Sequence, residues 1–246
     1  LSNPFEIDGP AVISFSGGRT SGYMLRRILD VGLRPEVYVI FADTGQERQE
    51  TYKFIADVRR EWGIGIRTVF RPGHFTQLIT DRKFLPNPVM RFCTSELKIV
   101  PMRTFMEGLG YETWTNVVGF RADEASRVSR TRQREADGSE PWASVFPLHE
   151  AAITEADIAA FWRAQPFDLQ LRKHEGNCDL CFLKGVSLRS GIMRDRPDLA
   201  AWWIEQEQRT GGRFRSDAPT YADLLAAPQF PEMSDDLSQV ECFCHD

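Results

Sequence analysis

The stretch Ala11-Val12-Ile13-Ser14-Phe15-Ser16-Gly17-Gly18-Arg19-Thr20-Ser21 decides how this chain folds. Its first half is a short apolar run bounded upstream by Gly9 and Pro10, which reads as a buried strand. Its second half is a Ser/Gly turn that leads into the helical spacing of Tyr23, Met24, Leu25, Ile28 and Leu29. Strand, glycine turn and helix start together form a phosphate cradle. Glycines let the backbone approach anionic oxygens, and the first-turn N–H groups point at them. Ser14, Ser16, Gly17, Gly18, Arg19, Thr20 and Ser21 are therefore candidate nucleotide contacts. The G-x-x-x-x-G-K-[ST] spacing and its lysine are absent, so this is not a Walker A loop.

Working outward, Glu36–Ala42 is β-branched and aromatic and suits an interior parallel strand. It ends in Asp43-Thr44-Gly45, ahead of a helix expected from about Glu47 to Trp62. An Asp at a parallel strand's carboxyl end sits where open sheets bind ligands. It could serve ribose, adenine or a nucleotide-bound metal, or it could cap the helix. Gly65–Phe70 and Thr113–Phe120 are further strands, and Ala143–Leu148 is a last one. A helix is expected over 95–109, starting at a Ser/Thr cap and carrying Lys98. The arginine-dense run from Arg121 through Arg127 to Arg134 reads as a solvated loop at a strand's carboxyl end. Arg121 and Arg127 could close there over an anion. Thr154 caps a helix from about Glu155 to Arg163. After that, strand and helix cease to alternate.

These patterns imply an α/β fold: an open, mostly parallel sheet with helices on both faces, plus a mainly helical, cysteine-bearing C-terminal part. The expected division is 1–165 for the nucleotide-binding part and 166–246 for the remainder. With 246 residues, 42% of them hydrophobic, the chain has ample material for a core. The formal net charge of −5 argues against non-specific coating of nucleic acid but leaves room for a local basic groove. No stretch reaches the ~18 apolar residues of a membrane span, and a cytoplasmic location is expected.

The five cysteines are Cys93, Cys178, Cys181, Cys242 and Cys244. The Cys178–Cys181 knuckle lies beyond the expected sheet, away from the usual place of a thiol redox pair. Gathered by the fold, Cys93, Cys178, Cys181 and a tail cysteine such as Cys244 would suit a 4Fe-4S cluster. Zn2+ on Cys178, Cys181, Cys244 and His245 is the competing reading.

Taken together, these landmarks resemble the phosphoadenosine phosphosulfate (PAPS) reductase branch of the PP-loop superfamily. S-G-G-R-T-S resembles the S-G-G-x-D-S loop, with Thr20 at the usual Asp. V-I-F-A-D-T-G-Q-E-R-Q-E-T-Y resembles the family's strand-D-T-G followed by Glu-Thr-Tyr. R-F-C-T-S-E-L-K-I-V-P-M resembles its cysteine segment with Lys-x-x-Pro, here Lys98 and Pro101. G-F-R-A-D-E-A-S-R, C-D-L-C and E-C-F-C-H complete the series in the same order. A single cysteine stands where cluster-bearing sulfonucleotide reductases have an adjacent pair.

The paired-glycine loop is more similar to members that bind ATP, among them the DNA-phosphorothioation pyrophosphatases and the tRNA thiolases, and the chain also resembles stand-alone phage and prophage chains. The resemblance implies ATP with Mg2+, held at the loop and at Asp43, Thr44 and Gly45. It also implies adenylation with release of pyrophosphate, coupled to iron–sulfur-assisted sulfur transfer. Lys98, Arg121 and Arg127 would be electrostatic clamps, with Cys242 the match of the tail nucleophile. The implied partners are a nucleotide substrate, a sulfur- or electron-donor protein and, as one class of acceptor, a nucleic acid. Two alternatives stand beside this: thiol-dependent reduction of APS or PAPS by Cys242, and a non-catalytic nucleotide- or nucleic-acid-binding module whose metal is structural.

Overall fold

A computed structural model describes residues 3–138, 142–172, 175–176 and 178–227. Cys242 and Cys244, and with them the expected tail nucleophile and fourth ligand, lie outside the described residues. Five parallel strands, β1 (Ala11–Ser14), β2 (Val37–Asp43), β3 (Arg67–Phe70), β4 (Trp114–Val117) and β5 (Trp142–Val145), form one sheet in the order β3-β2-β1-β4-β5. The chain leaves β1 toward β2 on one side and reaches β4 on the other. The carboxyl ends of β1 and β4 therefore flank the switch point, where an open α/β sheet leaves a crevice.

Strand alternation builds a different core on each face. Ala11, Ile13, Val37, Val39, Phe41 and Val117 join the larger cluster. It is closed by α1 (Arg19–Val31), α2 (Gln49–Trp62) and α8 (Glu155–Arg163). The residues in between, Val12, Ile40, Trp114 and Trp142, pack with Met106 on the opposite face, under α5 (Val100–Gly108). Both faces of β2 are thus covered, which is why it reads as an apolar run. Each fully buried Phe, Leu or Ile contributes about 1.5–3 kcal/mol.

Two local expectations are corrected. The helix expected over 95–109 begins earlier, at α4 (Phe92–Thr94), and widens into a π turn over Ser95–Ile99 before α5. The wide turn precedes Pro101, which has no N–H for the carbonyl one turn back. The arginine-rich run is not a loop. After a 3₁₀ turn at Ala122–Glu124 it forms α6 (Ala125–Ala136), with Arg127, Val128 and Thr131 buried.

The remaining elements are α3 (His74–Arg82), α7 (Pro147–Glu150), α9 (Val186–Asp195), α10 (Ala200–Thr210) and α11 (Tyr221–Ala226). The last three pack around the fully buried Trp203, Phe214 and Tyr221. Thr154 caps α8 in a reciprocal box with Asp157, as its sequence position implies. Among the described residues, no helix is long and apolar enough to cross a membrane.

Candidate nucleotide site

The turn after β1 is shaped by backbone. Gly17 has φ +73°, and a Cβ there would meet the Thr51 methyl at 2.7 Å and Ile55 at 3.2 Å. Only glycine fits without strain. Gly18 is the N-cap of α1, where no side chain caps the helix and the first turn holds no acidic residue. The first-turn amides therefore keep their donors for an anion. Ser21 stitches the turn from inside: its hydroxyl donates to the Gly18 carbonyl at 3.0 Å, accepts from the Ser16 N–H at 3.2 Å and lies 3.0 Å from the Ser16 hydroxyl. Arg19 turns its guanidinium away from the loop. Nε and Nη2 grip Asp168 at 2.8 and 2.7 Å, and Nη1 donates to the Leu171 carbonyl at 3.0 Å. What Arg19 brings to the cradle is its backbone N–H.

The Glu50-Thr51-Tyr52 segment buttresses two other motifs. Thr51 backs Gly17, and the Tyr52 hydroxyl donates to Asp43 Oδ1 at 2.7 Å. The same oxygen accepts from the Gly45 N–H at 2.8 Å. Asp43 thus closes the turn after β2 instead of capping α2, whose N-cap is Arg48. Thr44 is buried, and its hydroxyl donates to Glu47 Oε1 at 3.0 Å.

Glu47 itself drew no attention in the sequence. It is 8% exposed, its Oε2 has no partner, and it lines a cavity of about 100 Å³ at the strands' carboxyl ends. Burial pushes its carboxyl above the ordinary range, and the nearby charge of Lys98 partly offsets this. Ser14, Ser16 and Lys98 line the same cavity. So do Asn116, Thr131, Arg134, Trp142 and Ser144, none of which the motifs singled out as site residues. Asn116 was detectable as a polar residue on an otherwise apolar strand face.

Arg121 and Arg127 are absent from the cavity lining. Arg121 binds Asp123 at 2.8 Å. Arg127 is buried against Glu124 and lies 4.2 Å from the centre of the Phe120 ring. The two arginines shape the start of α6, and the same helix brings Thr131 and Arg134 to the cavity.

The three described cysteines reach one apolar cluster: Cys178 and Cys181 are buried in it and Cys93 packs against it. An antiparallel bridge between Glu47 and Cys178 ties the knuckle to the end of β2. Burial raises the Cys93 thiol. Thiols in an apolar shell suit an iron–sulfur cluster or zinc chemically. Yet among the described residues no three His, Cys, Asp or Glu side chains stand close enough to hold a metal ion. The three described thiols do not by themselves close a metal centre, and the fourth expected ligand, Cys244, lies outside the described residues.

A parallel sheet whose switch point carries a glycine turn and an uncapped helix N-terminus is an α/β architecture suited to holding an anion. The model of the phosphoadenosine phosphosulfate reductase domain matches residues 10–170, and the chain belongs to that family. It is 32% identical over 233 residues to the nin region protein ORF290 of Escherichia phage lambda, covering 83% of this chain and 76% of that one. A protein of Methanocaldococcus jannaschii is 26% identical over 82% of this chain, which spans 42% of that protein's length.

Among solved structures, the PAPS reductase from Candida auris in its phosphate complex is similar with a TM-score of 0.44 and 15% identity. The match covers 65% of this chain and 76% of that one. The U34-tRNA thiolase NcsA from Methanococcus maripaludis, with its [4Fe-4S] cluster, gives 0.47 and 17%, covering 96% and 79%.

Proposed function

We propose that this chain is an ATP-dependent adenylating enzyme. One observation carries the reading: the helix that starts at Gly18 is uncapped by any side chain and has no acidic residue in its first turn, and Ser14 and Ser16 just before it line a cavity that also holds Lys98. The nucleotide enters with magnesium as its counter-ion, and its phosphates accept from the first-turn amides of α1. An acceptor oxygen attacks the α-phosphorus. The bond from that phosphorus to the bridging oxygen of the β-phosphate breaks, and pyrophosphate leaves with the electron pair. Lys98 stands where its ammonium can offset charge developing on the phosphoryl oxygens. The rest of catalysis is positioning. Thr51 and Tyr52 hold the two loops, and the buried Glu47 fixes Thr44.

The test is labelled pyrophosphate release from [γ-32P]ATP and magnesium, with and without candidate acceptors. ATP-dependent pyrophosphate formation that disappears in Lys98→Ala is the expected result. Thiol-dependent sulfite from APS or PAPS, with no pyrophosphate from ATP, would instead assign a sulfonucleotide reductase. Nucleotide binding without turnover of either would leave a binding module.

A further inference from the structure

We infer that the loop between α3 and α4, residues 83–91, is a membrane-surface anchor whose apolar tip enters the headgroup boundary of a bilayer bearing anionic lipid. The inference stands apart from the reaction proposed above, since no residue of this loop lines the cavity.

The loop Lys83-Phe84-Leu85-Pro86-Asn87-Pro88-Val89-Met90-Arg91 leaves apolar side chains in water. Val89 is 92% exposed, the most of any large apolar side chain among the described residues, with Met90 at 51% and Phe84 at 42%. One exposed apolar residue is ordinary, but three on a single loop mark a surface that meets an apolar partner. The loop is also stiff. Leu85 is buried in the cluster of the helical region, Phe84 meets Phe92 edge-on at 5.1 Å, and Pro86 and Pro88 fix φ.

The hydrogen bonds of the tip say what that partner is. The Asn87 N–H donates to the Met90 carbonyl at 3.1 Å. The Asn87 side-chain oxygen accepts from the N–H groups of Val89 at 3.0 Å and Met90 at 2.9 Å. Pro86 and Pro88 have no N–H to place. Every main-chain donor from Pro86 to Met90 is therefore absent or used within the loop. A loop that stays in water has no need of this, because water would accept those bonds. A segment that enters lipid does, because hydrocarbon offers no acceptor.

Charge selects the kind of bilayer. Arg82, Lys83 and Arg91 flank the tip on both sides, and no acidic residue occurs from 82 to 91 in a chain of net charge −5. The nearest acids along the chain are already engaged: Asp81 and Glu96 pair with Arg71, and Glu96 also with Arg82. Cations at the base of an inserted tip lie at headgroup level and are drawn to anionic lipid. Nucleic acid fits this loop less well. Val89 and Met90 offer no ring for a base to stack on, and the tip keeps no main-chain donor for phosphate.

The test is flotation of the full chain with vesicles of equal parts phosphatidylcholine and phosphatidylserine, and with vesicles of phosphatidylcholine alone. Wild type should float with the mixed vesicles and partition at least about tenfold less to the neutral ones. The chain carrying both Val89→Ser and Met90→Ser should lose at least about tenfold in partitioning to mixed vesicles. Lys83→Gln should lose about fivefold. All three side chains are exposed, so the fold should hold, and circular dichroism checks it. Should the double variant not fold, Lys83→Gln and the next measurement carry the test. In Val89→Trp, emission above the wild-type background should shift to the blue on mixed vesicles and be quenched by brominated acyl chains, a readout that only insertion moves. Wild type that floats with neither vesicle would overturn the anchor. So would mixed-vesicle binding that is unchanged in the double variant, which is adsorption without insertion. Equal flotation with both vesicle types would overturn the assignment to anionic lipid. An oligothymidylate bound by wild type and lost in the double variant would give the loop to nucleic acid, and would overturn the inference as well.

Discussion

The sheet end that carries Gly17 and the helical region that carries Cys178 hold their functional groups by opposite means. At the sheet, backbone does the placing. Parallel register sets Asn116 beside Ser144, Ser14 reaches Asn116 by a hydrogen bond from two residues beyond the register partner Val12, and a positive φ at Gly17 shapes the turn. In the helical region, buried charge and aromatic rings do it. Lys184 is 1% exposed and caged by the carbonyls of Cys178 at 2.6 Å, Asp179 at 2.9 Å and Gly176 at 3.2 Å. Asp179 takes the Trp203 indole N–H at 2.8 Å, and the Tyr221 hydroxyl donates to the Leu180 carbonyl. A site built on strand register tolerates side-chain change around it. A turn pinned by one ammonium and two rings stands or falls with them.

Trp203→Ala presses hardest on that contrast. Removing a fully buried ring in contact with Phe214 and Tyr221 is expected to cost about 3–5 kcal/mol by urea denaturation. Nucleotide binding by whatever folded protein remains should hardly change. Loss of nucleotide affinity in parallel with stability would mean that the two regions form a single cooperative site.

Gly17→Val is the converse. Calorimetric ATP affinity should drop at least about 100-fold, near 2.7 kcal/mol, because the side chain must displace Thr51. The loss of stability should be smaller, about 1–2 kcal/mol. An unchanged affinity would remove the loop from the site.

Lys184→Met keeps most of the stem volume but leaves three carbonyls without their donor. A destabilisation of about 1–3 kcal/mol is expected. Thiol-labelling kinetics at Cys178 and Cys181 should quicken as the turn loosens, while ATP affinity holds.

The smallest effect belongs to Glu47→Gln, at the seam between the regions. Burial raises the Glu47 carboxyl, so the folded state holds a proton that the unfolded chain has already released. Stability from this group is therefore full at acid pH and declines as pH rises above the ordinary carboxylate range toward the elevated one. Glutamine lacks that slope. Urea midpoints across about pH 4–8 should converge toward the acid end, with the variant gaining relative to wild type near neutrality. Because Glu207 and Asp179 are also raised by burial, the wild-type minus variant difference is the quantity that reports Glu47. A flat difference would mean that Glu47 is solvated.

Much of this architecture was legible in the residues because the forces behind it are local. Apolar alternation in β2, the 3.6-residue spacing of α1 and α2, the Thr154 cap and the glycine turn each depend on neighbours within a few positions. The family assignment rests on such segments in order. The arginine run misled for a related reason. Charge density outweighed the spacing of Val128 and Thr131, whose burial makes α6 a packed helix.

Long-range partnership could not be read in one dimension. Nothing near Arg19 in the chain marks Asp168, which takes its guanidinium, and nothing near Glu47 marks Cys178, which bridges to it. Asp43 turns to Tyr52 and Gly45 instead of to a helix end, a choice set by how α2 leans on β2. The sequence by itself determined a parallel sheet with a glycine turn after its first strand, because backbone conformation and periodic burial are written locally. Only the tertiary structure decided which side chains face the cavity, where the arginines spend their charge, and that the described thiols share an apolar cluster without closing a metal centre. Among those outcomes, the Arg19–Asp168 pair and the Glu47–Cys178 bridge join residues more than a hundred positions apart, which no local pattern encodes.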